Sequence, residues 1–227
     1  MPTLPEILQR GWRVHQAGDL PGAERIYRGV LEQVSENPEA LTYLGIALFD
    51  QRRFAESVDA YRQAIVAREV FPIAWNNLGN SLRMLGRVEE AEAAFIKSLD
   101  QDPTYLSAFK NRGTLWVWTG EVQRGMKWYE EGLKIDPNNA ELHRNLGVIY
   151  LLLGDYQRGW EEYRWRWAMP GMYRANCGAP IWQGERIAGK SILLYPEQGR
   201  GDAVQFIRMA KVLSEAGGHV VVQCDEK

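Results

Sequence analysis

A glycine recurs every 34 residues in this chain, at Gly11, Gly45, Gly79, Gly113 and Gly147. A period of that size marks one supersecondary unit repeated in tandem, because no single unit can bury its apolar face alone. Other positions keep the same register. Twelve residues after each glycine stands a small residue: Ala23, Ser57, Ala91, Gly125 and Gly159. Four further on stands an aromatic: Tyr27, Tyr61, Phe95, Tyr129 and Tyr163. A second glycine follows the first by seven at Gly18, Gly86, Gly120 and Gly154, and Arg52 takes its place in the second unit.

Each position has a physical reason. The first glycine falls inside a helical pattern, where it costs about 1 kcal/mol relative to alanine. Five in register must offset that cost, and the sequence predicts that they do so by letting two helices approach closely. The small residue serves the same contact from the second helix, and the aromatic fills the wider part of the interface. The later glycine supplies a left-handed C-cap. Pro38, Pro72, Pro103 and Pro137 punctuate the units, because proline cannot continue a helix.

These residues resemble the tetratricopeptide-repeat (TPR) family, whose pattern is Trp-x-x-Leu-Gly-x-x-Tyr, then Ala-x-x-x-Phe, then Pro. The third unit matches most closely, with Trp75, Leu78, Gly79, Ala91, Phe95 and Pro103, and with Leu82 at the usual tyrosine position. The resemblance implies a mainly α fold. Five helical hairpins (4–37, 38–71, 72–105, 106–139 and 140–170) form a solenoid over residues 4–170. The first unit has Ile7 and Arg10 in place of Trp and Leu, as suits a terminal repeat with one face to water. Fraying is expected in the units of Arg10 and Arg112, which lack the usual leucine.

In such a stack the first helix of each hairpin lines a concave groove, which by resemblance receives a peptide or partner protein. The sixth positions place Asn77, Asn111 and Asn145 at one-repeat spacing. Each amide offers a donor and an acceptor. That suits pairing with the backbone of an extended peptide, and equally suits orienting neighbouring side chains. Arg83, Lys110 and Arg144 form a modest basic patch loosely similar to the carboxylate clamps of chaperone-binding TPR domains. Glu39, Asp50 and Glu141 dilute it. Tyr43, Phe49, Trp118 and Leu152 are candidate anchors for partner side chains, or packing between repeats.

The pattern changes after the fifth unit. Residues 171–189 read as a linker, and Trp165 and Trp167 as a cap or docking element. Ser191-Ile192-Leu193-Leu194-Tyr195 has the apolar run of a buried strand. A helix is predicted from about Asp202 to Ala216, and a second strand at 219–223. Residues 190–227 thus open an incomplete Rossmann-like β-α-β segment. The loop lacks the dinucleotide fingerprint, since Val204 stands where a third glycine belongs. Gly199 and Gly201 are anion-loop candidates at a helix N-terminus. The stretch from Trp182 to Phe206 resembles the junction in bacterial TPR proteins fused to a heptosyltransferase-like GT-B glycosyltransferase domain. That resemblance implies Asp202 as the base on an acceptor hydroxyl, whereas its position alone also fits a helix N-cap. Two strands and one helix are too few for a doubly wound domain. The chain as given is therefore expected to be no enzyme, and to be either a piece of a longer glycosyltransferase or one that has lost catalysis. Self-association through open strand edges is a further expectation.

Composition narrows the partners. The net charge is −2, with both signs interspersed, so no nucleic acid is expected. Cys177 and Cys224 lack metal-ligand spacing and read as free thiols, and no metal or cofactor is expected. The longest apolar run, from Val148 to Leu153, is far short of the roughly 20 residues of a membrane span. The N-terminus lacks the charged and apolar regions of a signal peptide. A cytoplasmic protein is the expectation.

Overall fold

A computed structural model of the chain describes residues 2–172, 178–195 and 207–223. The chain divides into two compact units, residues 1–163 and 164–227. The first holds ten helices in five antiparallel pairs: α1 (Leu4–Gln16) with α2 (Leu20–Leu31), α3 (Pro38–Asp50) with α4 (Phe54–Ala67), α5 (Pro72–Met84) with α6 (Val88–Gln101), α7 (Leu106–Trp118) with α8 (Val122–Ile135), and α9 (Ala140–Leu152) with α10 (Tyr156–Tyr163).

Local chemistry sets these ends. Pro38 and Pro72 are the first residues of α3 and α5, where a missing N–H has no intrahelical partner to lose. They begin helices, whereas Pro103 and Pro137 lie in the loops ahead of α7 and α9. Asn37 accepts from the Ala40 N–H at 2.7 Å, and Asn139 from the Leu142 N–H at 3.1 Å, as N-caps. At the turn inside the second hairpin, Arg52 has φ 63°, a left-handed value otherwise found only at glycines among the described residues. A side chain there is strained by about 1–2 kcal/mol. Arg52→Gly is therefore expected to raise the stability of the array by about 0.5–1 kcal/mol, read as an upward shift in the chemical-denaturation midpoint.

The recurring glycines do allow close approach, and the structure says to what. A Cβ on Gly45 would stand 2.6 Å from Cε1 of Tyr61, and one on Gly79 would stand 2.6 Å from Cε1 of Phe95. Gly11 and Gly113 meet Tyr27 and Tyr129 in the same way. In the fifth hairpin the neighbour is backbone: a Cβ on Gly147 would stand 2.5 Å from the Tyr163 nitrogen. The aromatic rings lie at the centre of the core, with Tyr27 and Phe95 fully buried and Tyr61 and Tyr129 nearly so. At the small position, Ser57 is also fully buried. Its hydroxyl donates to the Gly45 carbonyl at 2.8 Å and meets Ser81 Oγ at 2.9 Å, which links the second hairpin to the third.

Arg112 departs from the sequence expectation. Its side chain does not stand unpartnered at a core position: it is only 12% exposed and paired with the equally buried Glu92. Arg112 Nε donates to both Glu92 oxygens at 2.9 Å, and Trp116 Nε1 donates to the same carboxylate at 3.1 Å. The guanidinium lies 3.5 Å over the Trp128 ring. A polar clamp thus replaces the usual leucine and ties the fourth hairpin to α6 of the third. Arg10, by contrast, is exposed.

The second unit begins with a 3-10 helix, Arg164–Ala168, which contains Trp165 and Trp167. Its strands β1 (Ser191–Leu194) and β2 (His219–Val222) pair in parallel, with Ser191 opposite His219 and Leu194 opposite Val222. Helix α11, Met209–Glu215, lies between them in sequence. Ile187 and Leu213 are buried here. The described sheet has two strands only, which falls short of a Rossmann domain. The described helix is shorter than the predicted 202–216. Gly199, Gly201 and Asp202 lie outside the described residues.

Candidate functional site

The first helices of successive hairpins touch one another, α1 with α3, α3 with α5 and α5 with α7. Their contact places α1, α3, α5 and α7 side by side along the array. The residues of interest lie on these helices and on α9, at matching points of the repeat.

The asparagine ladder is present but bonded internally. Asn76 is only 3% exposed. Its Nδ2 donates to Asn77 Oδ1 at 3.2 Å, and its Oδ1 accepts from Asn111 Nδ2 at 2.9 Å. Asn76 is thus the bridge between two rungs. Asn145 Oδ1 accepts from Arg144 Nη2 at 3.0 Å. Each of the three rungs therefore spends part of its amide on a neighbour, which holds the remainder in a defined orientation.

The aromatic candidates separate. Tyr43 stacks on Tyr27 with centroids 5.5 Å apart and leans on Trp12 at 5.7 Å, so it packs the first two hairpins together. Phe49 meets the edge of Phe54 at 5.2 Å. With Ile46, Tyr61, Asn77 and Asn80 it lines a cavity of about 230 Å³. Asn80 Oδ1 is buried there with no hydrogen-bond partner among the described residues. Trp118 is 68% exposed and Leu152 is 78% exposed, at equivalent points of the fourth and fifth hairpins.

The charges also separate. Each acid that diluted the basic patch has a side-chain partner of its own. Glu39 pairs with Arg68, Asp50 with His15 at 2.8 Å, and Glu141 with Lys110 at 3.0 Å. Lys110 is thereby neutralised. Arg83 lies 4.7 Å over the Trp118 ring, and its Nε and Nη1 are buried without an acceptor among the described residues. Arg144 Nε is in the same condition. Burial holds the Arg83 guanidinium below the ordinary arginine value, because desolvation disfavours the charged form. Burial likewise raises the Tyr129 hydroxyl, against the pull of Thr114, 3.0 Å away, and of the charges of Arg83 and Arg144.

Sequence reasoning missed Asn80 and the polar role of Tyr129. Asn80 occupies the ninth position of its unit, already a groove position by the repeat register. Tyr129 carries the core aromatic that every unit has, and its hydroxyl gains significance only from the two arginines near it. Among the described residues no cluster of acidic, histidine or cysteine side chains could hold a metal. No described helix is long and apolar enough to cross a membrane.

This hairpin array with a lined inner face defines a class of repeat scaffold, and comparison identifies it. Tetratricopeptide-repeat models match residues 8–69, 44–105 and 119–154, together more than half of the chain. The chain belongs to the tetratricopeptide-repeat family, whose fold serves as a protein–protein interaction scaffold. A peroxisomal targeting signal receptor of Candida albicans is 33% identical over 73 residues, which is 32% of this chain and only 12% of that receptor. PilF of Pseudomonas aeruginosa superposes with a TM-score of 0.65 at 18% identity, over 93% of this chain and 85% of that one. YrrB, described as a TPR protein with an unusual peptide-binding site, gives 0.51 at 17% identity over 72% and 84%. At such identities the likeness to the two solved structures is one of fold.

Proposed function

We propose that this chain holds an extended segment of a partner protein along the inner face of its array. The observation that carries this reading is the line of Asn77, Asn111 and Asn145, fixed by their neighbours and flanked by exposed Trp118 and Leu152. Amides held at repeat spacing can meet backbone groups of an extended chain whatever its side chains, and exposed apolar groups supply anchoring area. The peptide-binding site described for YrrB and the receptor role named for the Candida relative agree with it.

The test is binding of linear peptides selected by display on the full chain. Asn145→Ala removes one rung, whose internal partner is the adjacent Arg144. It is expected to weaken selected peptides severalfold, on the order of one hydrogen bond of about 0.5–1.5 kcal/mol, with the melting temperature unchanged. Changing Asn77, Asn111 and Asn145 together weakens binding further. It also costs about 1–3 kcal/mol of stability, because Asn76 is left buried without its partners. Peptides that bind Asn145→Ala as well as the parent chain would refute the ladder.

A second reading rests on the parallel pairing of β1 and β2 around α11. In it the array presents protein acceptors to a glycosyltransferase domain that opens with the segment 190–227, and the open strand edges allow self-association. Sugar transfer by the product of the whole gene, or its absence, decides the first part. Concentration-dependent sedimentation of this chain decides the second.

A further inference from the structure

From the cavity at the joint between the second and third hairpins we infer a subsite for a tyrosine side chain of the bound segment. Ile46, Phe49 and Tyr61 wall this cavity, and Asn77 and Asn80 supply its amides. The subsite rests on the groove reading above and adds a side-chain preference to it.

The joint one repeat earlier shows what such a place holds. Each of the five residues has a counterpart 34 positions before it: Trp12, His15, Tyr27, Tyr43 and Ile46. There the space is filled from within. The Tyr43 ring lies on Tyr27 with centroids 5.5 Å apart and planes 16° apart, and Trp12 leans on Tyr43 at 5.7 Å. At the second joint the counterpart of Tyr43 is Asn77, which brings no ring. Tyr61, the counterpart of Tyr27, has no ring stacked on it among the described residues. A cavity of about 230 Å³ remains. An aromatic ring entering it would lie over Tyr61 as Tyr43 lies over Tyr27, and aromatic pairs attract beyond the area they bury. The later joints do not repeat the place, because Arg83 and Val117 stand where Phe49 stands in the second.

The amides choose among aromatic rings. Asn80 Oδ1 is buried and has no donor among the described residues. A buried acceptor left unmet is costly, so a ligand that brings a donor gains more than one that brings apolar surface alone. Asn77 Oδ1 is engaged by Asn76 at 3.2 Å, so what Asn77 offers the cavity is its donor, Nδ2. The place therefore asks for one donor and one acceptor, which a phenol hydroxyl carries together. A phenylalanine ring answers neither, and an indole N–H answers only the first. Serine and threonine have the hydroxyl but no ring to lie on Tyr61. A lysine ammonium would enter without a counter-ion, since no charged side chain among the described residues lines the cavity.

Linear random peptides displayed on phage and selected on the full chain test this. Selections are expected to enrich tyrosine at one position. A synthetic winner should lose about five- to fiftyfold in affinity when that tyrosine becomes phenylalanine. On Asn80→Ala the two peptides should bind alike, since the acceptor is gone. Asn80→Ala should melt at the parent temperature or higher, because its amide oxygen has no bond to lose. Ile46→Trp brings to the second joint the residue that Trp12 supplies to the first, and by filling the cavity should weaken the winner about tenfold or more. A phenylalanine peptide as tight as the tyrosine one would overturn the subsite and leave the groove reading intact. So would a tyrosine preference that survives Asn80→Ala, a lower melting temperature for that variant, or undiminished binding to Ile46→Trp. Winners without tyrosine enrichment that still protect α5, α7 and α9 from hydrogen exchange would do the same. Failure to select any peptide that protects these helices would overturn both.

Discussion

Replacing Glu92 with alanine is expected to destabilise the array by about 3–5 kcal/mol, because it strands a buried cation. Arg112 would keep its place under 12% exposure with no acceptor, and Trp116 Nε1 would lose its partner as well. Most single changes cost about 0.5–3 kcal/mol, so this one should stand out. The damage should concentrate at the joint between the third and fourth hairpins, since each repeat touches only its neighbours. Hydrogen exchange is expected to speed in α6 to α8 before α1 and α2. Replacing both partners, Glu92→Leu with Arg112→Leu, should recover most of the loss, because that restores the apolar pair of the ordinary repeat. A single Glu92→Ala variant as stable as the parent in chemical denaturation would show that the clamp is ornamental.

Gly147→Ala is the second large effect. Alanine gains about 1 kcal/mol of helix propensity over glycine, so an open site would be stabilised. Here the added Cβ would lie 2.5 Å from the Tyr163 nitrogen and 2.8 Å from its Cα. Backbone cannot swing away, and the helices α9 and α10 must separate. A net loss of about 2–3 kcal/mol is expected, in the upper range of overpacking. For Gly79→Ala the three nearest atoms all belong to the Phe95 ring, which can tilt, so its loss should be smaller, about 1 kcal/mol. The order of the two, read from denaturation midpoints and from exchange in α9 and α10, is the discriminating result. Equal losses would mean that the fifth hairpin packs like the others.

Much of the array was legible in the chain. The glycine, small residue and aromatic recur because a hairpin with closely packed helices needs all three at fixed offsets, and a period can be seen without knowing any contact. The left-handed turn at Arg52 was legible for the same reason, as the one gap in a row of glycines. Arg112 was misread because a charged residue at a core position says nothing about its partner. Glu92 lies 20 residues away on a different hairpin. Asn76 was likewise one polar residue among several until packing buried it between two rungs.

The groove shows the division most clearly. Sequence by itself set which positions were expected to line it, because position within a 34-residue repeat dictates the face of a helix. It could not say which of those residues are already engaged, because ion pairs and amide bonds between hairpins depend on side chains meeting across three dimensions. Tertiary structure alone assigned Glu39, Asp50 and Glu141 to partners of their own, Arg68, His15 and Lys110. It alone left Arg83 and Arg144 with buried donors that have no acceptor among the described residues, because whether a side chain is paired depends on what other hairpins bring beside it.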